Sequence, residues 1–418
     1  MRNLVAVCLI ITCVLVTTTV RADKNWTNWR GPAGNGTVGG GSYPTKWSPT
    51  ENVLWKLELP GRGASTPVVW DSKIYLTSTL EDKNLLLCLN VAGKELWRTE
   101  VGEARKGKHQ KATGANSSPA TDGTSVFAYF KSGDLQCCDM NGKVVWSKNL
   151  QTTYAEDTLW WDLGTSPVLV DDMVIVAVMQ SGPSYIVALD KKTGKERWKT
   201  DRMMAANDES NQAYTTPIVA DVDGQSVLLT LGADHLTAHA VKTGEQLWQL
   251  GGFNPTNHQY FRTIASPVLA GNLVICPYAR GETLTAVNTA TQVSDKERIV
   301  WHLDKLGTDV PTPAVSGNRV YISGDKGTVT CLDAATGKTL WQGDLPKNRN
   351  AFSSSPIVAG GHVYLTREDG ATFVIKDGDK FELVSSNQVD GSTVATPAFV
   401  DGMILIRTYD ALYCIGSK

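Results

Sequence analysis

The feature that most constrains the fold of this chain is a proline, preceded by small residues, that returns every 41 to 52 residues. It stands at Pro67, Pro119, Pro167, Pro217, Pro267, Pro313, Pro356 and Pro397. An apolar strand pattern follows each proline, and a turn and a second apolar strand come next, as in Lys73–Leu76. A period of this length indicates structural repeats packed against each other, because one such unit cannot bury its apolar faces alone.

Each repeat continues with a third strand, a turn that contains glycine, and a fourth strand that carries a tryptophan. Asp190–Trp198 and Asp333–Trp341 are two copies of this part, and we align a variant copy from Val241 to Trp248. The Asp side chain binds the backbone that follows it, glycine supplies a positive φ, and the indole ring packs on the neighbouring unit. A structural docking role is therefore predicted for Trp55, Trp97, Trp146, Trp198, Trp248, Trp301 and Trp341.

Eight proline copies predict eight four-stranded sheets arranged around an axis. The eighth copy stops at its third strand, Ala411–Ile415, but a tryptophan strand stands near the other end of the chain, at Val53–Glu58. The prediction is an all-β fold, an eight-bladed β-propeller of four-stranded antiparallel blades, with the ring closed by the N-terminal strand 53–58. Residues 53–418 would form this domain at about 46 residues per blade, and a seven-bladed ring is the alternative.

The first 22 residues have the pattern of a secretory signal peptide. A short basic start precedes the run Leu4–Val16, which is apolar except for Thr12, and residues 20–22 approximate a small-x-small cleavage site. The run is too short for a transmembrane helix. An uncleaved anchor and a lipoprotein modified at Cys13 are the alternatives. We expect an exported protein of the bacterial periplasm or cell envelope, with no transmembrane segment after cleavage.

Residues 23–52 are expected to be a lead segment that is flexible around Gly39–Gly41. Deleting residues 23–45 should then cost much less stability than deleting residues 53–58, which close the ring. The charge is nearly balanced, with 40 Lys and Arg against 42 Asp and Glu. It gives no electrostatic basis for binding nucleic acid. The expected partners are envelope proteins or an unknown small ligand.

The Asp-x-x-Thr-Gly-Lys-x-x-Trp units resemble the docking motifs of pyrroloquinoline-quinone-like (PQQ-like) propeller repeats. The opening Trp26–Pro32 and the ending Leu412–Gly416 resemble those of exported bacterial proteins with the same repeat. The group includes BamB-type scaffolds of outer-membrane assembly and quinoprotein alcohol dehydrogenases. The resemblance extends over about residues 26–418. It implies the fold and the compartment, whereas one propeller fold serves both enzymes and scaffolds.

The dehydrogenase resemblance implies a quinone, a calcium ion with about six to eight oxygen ligands and, in the best-known cases, a ring formed by two adjacent disulfide-bonded cysteines. Cys137-Cys138 is the one feature of this kind. The residue two positions before the Asp or Asn of each turn should occupy one repeated position, the small slot, which takes a small, buried side chain. At this position we place Cys88, Cys137, Ala188, His239, Ala286, Cys331 and, by equivalence, Cys414. Neighbouring side chains of a strand face opposite sides, so we expect Cys137 and Cys138 to be free thiols. We expect no cofactor and no metal site.

Three connections, residues 102–116, 151–164 and 251–264, are longer than the fold requires. Each precedes a first strand, so all three should emerge on the same face, and such loops commonly carry function. The candidate ligand- or partner-binding residues are Arg105, Lys108, His109, Tyr154, Trp160, Trp161, Asp162, Tyr260 and Arg262. Trp160-Trp161 is the first candidate for an anchor. The alternative is that these loops are ordinary solvated connections.

The resulting hypothesis is a non-enzymatic interaction or assembly scaffold, or a binding module, of the cell envelope. No catalytic residue is assigned. The alternative is an oxidoreductase similar to quinoprotein alcohol dehydrogenases that depends on PQQ and calcium.

Overall fold

The computed structural model describes residues 24–417, and the predicted signal peptide at residues 1–22 lies outside them. The described chain forms 32 strands in eight antiparallel sheets of four strands each. These sheets are the blades of a propeller, so the predicted fold class and blade number are confirmed. None of the helices within residues 24–417 is long and apolar enough to cross a membrane.

Seven of the eight blades are continuous in sequence, and each begins with its innermost strand. The chain enters the ring with β1 (Val53–Glu58), which belongs to blade 8. Blade 1 contains β2 (Val68–Trp70), β3 (Lys73–Leu80), β4 (Lys83–Asn90) and β5 (Glu95–Glu103). Blade 2 contains β6 (Ala120–Thr121), β7 (Ser125–Tyr129), β8 (Asp134–Asp139) and β9 (Val144–Asn149). Blade 3 contains β10 (Val168–Val170), β11 (Met173–Val178), β12 (Tyr185–Asp190) and β13 (Glu196–Asp201). Blade 4 contains β14 (Ile218–Val222), β15 (Gln225–Gly232), β16 (His235–Ala240) and β17 (Gln246–Leu250).

The remaining blades repeat this order until the C-terminus. Blade 5 contains β18 (Val268–Ala270), β19 (Leu273–Tyr278), β20 (Thr283–Asn288) and β21 (Ile299–Asp304). Blade 6 contains β22 (Ala314–Ser316), β23 (Arg319–Ser323), β24 (Thr328–Asp333) and β25 (Thr339–Asp344). Blade 7 contains β26 (Ile357–Ala359), β27 (His362–Thr366), β28 (Ala371–Lys376) and β29 (Leu383–Gln388). Blade 8 contains β30 (Ala398–Val400), β31 (Met403–Arg407) and β32 (Ala411–Ile415). The helices are α1 (Leu150–Thr153) and α2 (Asp295–Arg298), with 3₁₀ turns at Asp208–Asn211 and Ala279–Gly281.

The ring closes through the pairing of β1, which follows the lead segment, with β32 of blade 8. Strand β1 lies antiparallel to β32, with Trp55 opposite Cys414 and Glu58 opposite Ala411. Beyond the strands, the Gly416 N–H donates to the Asn52 carbonyl at 3.0 Å. The predicted closure by strand 53–58 is therefore confirmed.

Tryptophans of the fourth strands join six of the eight blades to the next one through an indole hydrogen bond. The Trp198 indole N–H, for example, donates to the Val241 carbonyl of the following blade at 2.9 Å. Equivalent bonds run from Trp55 to Val91, Trp97 to Met140, Trp146 to Lys191, Trp301 to Ala334 and Trp341 to Gly378. Except for that of Trp341, each of these indole rings also covers the glycine in the turn of the following blade. Trp146, for example, covers Gly194, where an added Cβ would lie 2.7 Å from the indole ring.

Blade 4 departs from the sequence alignment by one residue. Ala238, rather than His239, lies opposite Trp248, and His239 lies opposite Gln246. The turn of this blade begins at Ala240, whose N–H binds the Glu245 carbonyl as the Asp190 N–H binds the Lys195 carbonyl. The placement of His239 in the small slot is therefore wrong, because Ala240 replaces the Asp or Asn that marks the turn elsewhere.

Cys137 and Cys138 are both free and buried, and they belong to different parts of the core. Cys137 packs between blades 2 and 3 with Val176, whereas Cys138 packs between blades 1 and 2 with Tyr75. The two side chains face opposite sides of the sheet, as the strand periodicity predicts. Burial raises the pKa of the Cys137 thiol to about 12, which keeps it protonated and unreactive.

The lead segment is packed rather than flexible. Trp26 is fully buried and exchanges two backbone hydrogen bonds of 2.8 Å with Val69 of blade 1. Arg30 is buried near the axis and donates to the carbonyls of Pro313 at 2.7 Å and Pro356 at 3.1 Å. Further on, the Trp47 N–H donates to Asn387 of blade 7 at 2.9 Å. The expectation of a flexible lead is wrong, and deleting residues 23–45 would remove contacts that hold several blades together.

A ring of hydroxyl groups lines the channel at the residues that precede the repeat prolines. The Thr66 N–H donates to the Ser118 hydroxyl of the next blade at 2.9 Å, and the Ser118 N–H donates to Ser166 at 3.0 Å. The series continues through Thr216, Ser266, Thr312, Ser355 and Thr396. At the junction of blades 8 and 1, Arg407 instead donates to the Ser65 hydroxyl.

Candidate functional site

A cavity of ≈ 490 Å³, here called the cup, occupies the channel and opens on one face of the ring. We call this the upper face. It carries the connections between blades and the turns between second and third strands, because these share one edge of an antiparallel meander. The hydroxyl ring and Trp29 of the lead form the floor. Apolar side chains such as Tyr214 and Phe352 line the wall.

Asp162 ties together two of the loops that sequence analysis selected. Its carboxylate accepts the backbone N–H of Lys108 at 2.7 Å and that of His109 at 3.0 Å. It also forms a buried ion pair with Lys131 from the turn between β7 and β8. The loop 102–116 is therefore fixed against the loop 151–164 by a carboxylate whose charge is compensated inside the protein.

Glu209 is the centre of a second network, in the adjacent connection between blades 3 and 4. This buried carboxylate accepts the Trp161 indole N–H at 2.7 Å and lies 3.2 Å from the Arg280 guanidinium. Arg262 approaches Glu209 at 3.5 Å and makes two hydrogen bonds, of 3.1 and 3.0 Å, to Asp309. The planar guanidinium suits this paired contact, and the network joins the four blade connections that carry Trp161, Glu209, Arg262 and Asp309.

Arg280 reaches this network from a strained turn. Ala279 and Arg280 have φ values of 54° and 55°, which side chains other than glycine rarely adopt. Strain of this kind persists only where surrounding contacts hold it, and it is frequent at functional sites. The contact between Arg280 and Glu209 supplies one such constraint.

Asp325 is the one cup carboxylate, among the described residues that line it, with no cation partner within ion-pair distance. Burial and the nearby Asp309 raise the pKa of Asp325 to about 6. Across the mouth, Lys111 of the loop 102–116 forms a 2.7 Å ion pair with Glu368 of blade 7. Near neutral pH the cup therefore has paired charges at its rim and one weakly acidic carboxyl group in its wall.

Exposed aromatic rings surround the mouth of the cup. Trp160 is 47% exposed, Trp161 39% and Tyr260 44%. The His109 ring meets Trp161 edge to face at a centroid distance of 5.5 Å. Trp160 is held through its backbone N–H, which donates to Gln212 at 2.8 Å. The rings are accessible although their backbones are fixed.

The structure brings together some of the predicted site residues and separates others. His109, Trp161, Asp162 and Arg262 line the cup, and all three long loops contribute to its wall. Lys108, Trp160 and Tyr260 belong to the same loops but are not lining residues, and we call this outer part of the loops the rim. Arg105 instead binds Gln151 at 2.6 Å, and Tyr154 binds Glu196 of the outer strand β13 at 2.7 Å. These last two residues do not line the cup.

Sequence analysis missed the residues that enter the cup from turns between second and third strands, namely Lys131, Arg280, Asp325 and Glu368. Nothing in their local sequence separates them from solvated turn residues. It also missed the hydroxyl ring, for which a signal exists. Each of the eight repeat prolines follows a serine or a threonine, and a hydroxyl at a fixed position in every blade indicates a shared hydrogen-bonding role.

The donor groups of the cup do not fit a calcium–quinone centre. Calcium needs about six to eight oxygen ligands, but four of the five carboxylates at the cup are already paired with protein cations. The pairs are Asp162 with Lys131, Glu209 with Arg280, Asp309 with Arg262 and Glu368 with Lys111, and among the described residues Asp325 is left without one. In the part of the chain that the structure describes, no three His, Cys, Asp or Glu side chains are placed to hold a metal ion.

Comparison with known proteins gives a consistent result. A family model described as outer membrane protein assembly factor BamB matches residues 39–182, 131–298 and 288–393. The BamB of Yersinia pestis is 23% identical over 321 residues, which cover 75% of this chain and 75% of that protein.

Solved structures share the propeller. BamB from Moraxella catarrhalis superposes with a TM-score of 0.63 at 15% identity and covers 87% of this chain and 99% of that one. A europium-containing methanol dehydrogenase superposes with a TM-score of 0.69 at 12% identity and covers 94% of this chain and 98% of that one. At such identities the likeness shows the fold alone, since one propeller serves unrelated activities.

Proposed function

Because the chain belongs to the family described as outer membrane protein assembly factor BamB, we propose that it is an exported envelope protein that acts as a non-enzymatic scaffold. Its partners would be other proteins of the envelope, bound at the upper face. The family resemblance of the repeat motifs is confirmed by the same match. The role and the partners are inferred from the family together with the chemistry of the rim.

The observation that carries the proposal is the set of exposed aromatic side chains on a rigid rim. The Trp161 indole N–H is fixed by Glu209 at 2.7 Å, and the Trp160 backbone by Gln212 at 2.8 Å. Both rings are more than a third exposed. Large aromatic side chains that are already ordered lose little conformational entropy on binding, which is why they dominate many protein interfaces.

The cup itself is better suited to holding loops in place than to chemistry. Its acidic side chains are mostly neutralised by arginine and lysine, as in the Arg262–Asp309 pair. Such pairs rigidify a surface, whereas a general base needs a carboxylate free to accept a proton. Asp325 is the exception, because its carboxyl group has no cation partner within ion-pair distance among the described residues.

Site-specific photo-cross-linking in living cells tests the proposed role. A photoreactive amino acid at position 160 should cross-link to proteins of outer-membrane assembly, because this position lies at the centre of the proposed contact. The matched control is position 340, where Leu340 is similarly exposed at 40% but lies on the outer strand β25. Cross-links to those proteins from position 340 and none from position 160 would contradict the proposal.

A second measurement separates the scaffold from a dehydrogenase. The purified protein is incubated with calcium and PQQ, and dye reduction is followed with primary alcohols as substrates. We expect no turnover above the rate without protein. Turnover that depends on both calcium and PQQ would exclude a purely non-enzymatic role, whatever the cross-linking shows.

A further inference from the structure

The innermost strand of every blade has one edge that faces the channel. In blade 1, Val69 lies opposite Ile74, one pair away from the hairpin that joins Trp70 to Lys73. Pairs in an antiparallel ladder alternate between bonded and non-bonded, so the Val69 N–H points away from its own sheet. The residue two positions after the repeat proline has this register in each blade, as Leu169 opposite Val174 and Leu269 opposite Val274 show.

The lead segment binds these inward N–H groups in four blades. The carbonyls of Trp26 and Thr27 accept from Val69 of blade 1 at 2.8 Å and from Thr121 of blade 2 at 3.0 Å. The carbonyls of Asn35 and Gly36 then accept from Val315 of blade 6 at 3.1 Å and from Val358 of blade 7 at 2.8 Å. In both places the lead advances by one residue for each blade. Blade 8 is covered instead by aromatic packing, with Tyr43 against Phe399 at 5.3 Å.

Blades 3, 4 and 5 are left uncovered. Between blade 2 and blade 6, the lead turns inward through Trp29 and Arg30 instead of following the inner strands. The inward N–H groups of these three blades, at Leu169, Val219 and Leu269, therefore have no acceptor among the described residues. Free backbone donors on a strand edge favour the addition of another extended segment.

These three edges border a groove of ≈ 460 Å³ on the face opposite the cup. One side of the groove is the lead from Thr27 to Gly34, and the other is the inner strands of blades 3 to 5. Partly exposed apolar side chains such as Val168 and Ile218 line it. The one ion pair among its lining residues, between Lys191 and Asp122 at 2.7 Å, is already satisfied.

We propose that this groove binds an extended peptide segment of another polypeptide. Carbonyls of the peptide accept the N–H groups of Leu169, Val219 and Leu269, as carbonyls of the lead accept those of Val69 and Thr121 in blades 1 and 2. The groove is continuous with the interface that the lead already forms, and it favours uncharged segments with small or apolar side chains. The site lies on the lower face, so it is independent of the proposed contact at the upper rim.

Amide NMR with a defined probe tests the proposal. The probe is a synthetic Thr-Val-Thr-Val-Thr peptide with acetylated and amidated ends, which has no charge, and it is titrated into the purified, deuterated protein. The amide signals of Leu169, Val219 and Leu269 should shift together and saturate. Those of Val315 and Val358, whose N–H groups the lead already binds, should not move.

A pair of tryptophan substitutions checks the location. Ala33 is exposed and borders the groove, so Ala33→Trp should fill it and weaken peptide binding by about tenfold or more. Ala335 is exposed in the turn after β24 on the same face but outside the groove, and Ala335→Trp should change the affinity by less than about twofold.

Three results would overturn the proposal. The first is that the three amides stay unchanged at saturating peptide, or that only amides of the cup respond. The second is that the same amides shift with protein concentration alone, which would identify a second copy of the chain as the occupant. The third is that they already differ between protein with and without residues 1–23, which would identify the chain's own N-terminus.

Discussion

The two junctions of blade 4 solve the same packing problem in different ways. On one side, Trp198 of blade 3 covers Gly244 and donates its indole N–H to the Val241 carbonyl at 2.9 Å. On the other side, Trp248 of blade 4 meets the lengthened turn of blade 5, where the Arg298 guanidinium lies 4.1 Å from the centre of its ring. The Trp248 indole N–H has no acceptor among the described residues.

The difference shows what the glycine is for. A tight turn brings its backbone against the neighbouring indole, and only a residue without Cβ fits beneath the ring with φ at 73°. In blade 5 the turn is longer, and Arg298 takes the place of the glycine. It donates to the carbonyls of Ala290 at 2.8 Å and Val293 at 2.6 Å while its face covers the ring.

The largest loss of stability is expected when a side chain is placed beneath the Trp198 ring, at the junction of blades 3 and 4. Gly244→Ala is expected to destabilise the protein by about 3–4 kcal/mol, because the methyl group meets the Trp198 ring and the positive φ adds strain. Urea unfolding followed by circular dichroism measures this. The control is Gly271→Ala, which has a φ of 62° but no atom within 4 Å of the new Cβ, and it should cost about 1 kcal/mol. Equal losses would show that strain alone explains the glycine.

A pH-dependent loss of stability, of intermediate size, is expected at the junction of blades 3 and 4. His239 is fully buried and its Nδ1 lies 3.2 Å from the Gly244 carbonyl. Burial lowers the pKa of His239 to about 4, and the positive charge of Arg202 acts in the same direction. An unfolded histidine titrates near 6.5. The neutral ring therefore contributes stability that is complete above about pH 6.5 and is lost as the pH falls towards 4.

The test is the pH dependence of unfolding in the variant His239→Leu. Leucine occupies the corresponding position in blades 1, 3 and 6, at Leu89, Leu189 and Leu332, so it should fit. Wild-type protein should lose about 2–3 kcal/mol more than the variant between pH 7 and pH 4. Parallel profiles for the two proteins would show that His239 does not stay neutral in the fold.

The smallest expected effect is a difference in stability between substitutions of Trp198 and of Trp248. Trp198→Phe removes a hydrogen bond and leaves the Val241 carbonyl unpaired, whereas Trp248→Phe removes an N–H that has no acceptor. We expect Trp198→Phe to be more destabilising by about 1 kcal/mol. Trp301→Phe is the control, because the Trp301 indole donates to Ala334 at 2.9 Å. It should behave like Trp198→Phe, and a match with Trp248→Phe would contradict the comparison.

The repeat made most of the fold predictable. Proline and tryptophan spacing gave the number of blades and the closing strand, because both residues occupy the same position in nearly every unit. The alignment failed in blade 4, because the methyl group of Ala240 cannot accept the turn hydrogen bonds that mark this position in other blades. The packed lead was also missed, since Arg30 binds the carbonyls of Pro313 and Pro356, which lie 283 and 326 positions later in the sequence.

The candidate site was predictable in part for a different reason. Long loops revealed Trp161, Asp162 and Arg262, because an insertion into a regular repeat is visible in the sequence. Arg280 and Asp325 come from turns of ordinary length, and their role depends on where the ring brings those turns together. Tyr154 and Arg105 were selected from the same long loops, but they bind Glu196 and Gln151 and do not line the cup.

The pairing of β1 with β32 has a consequence for how the molecule is made. Strand β1 is synthesised before the other strands of the ring, yet its partner β32 follows more than 350 positions later. Contacts at such a separation form late, because the loop entropy must be overcome first. Until β1 and β32 pair, the strand edges that they share remain free to pair with other strands. The ring therefore closes only after β32 has been synthesised. In a circular permutant with new termini between two blades, every blade would be continuous in sequence, and this delay should be shorter.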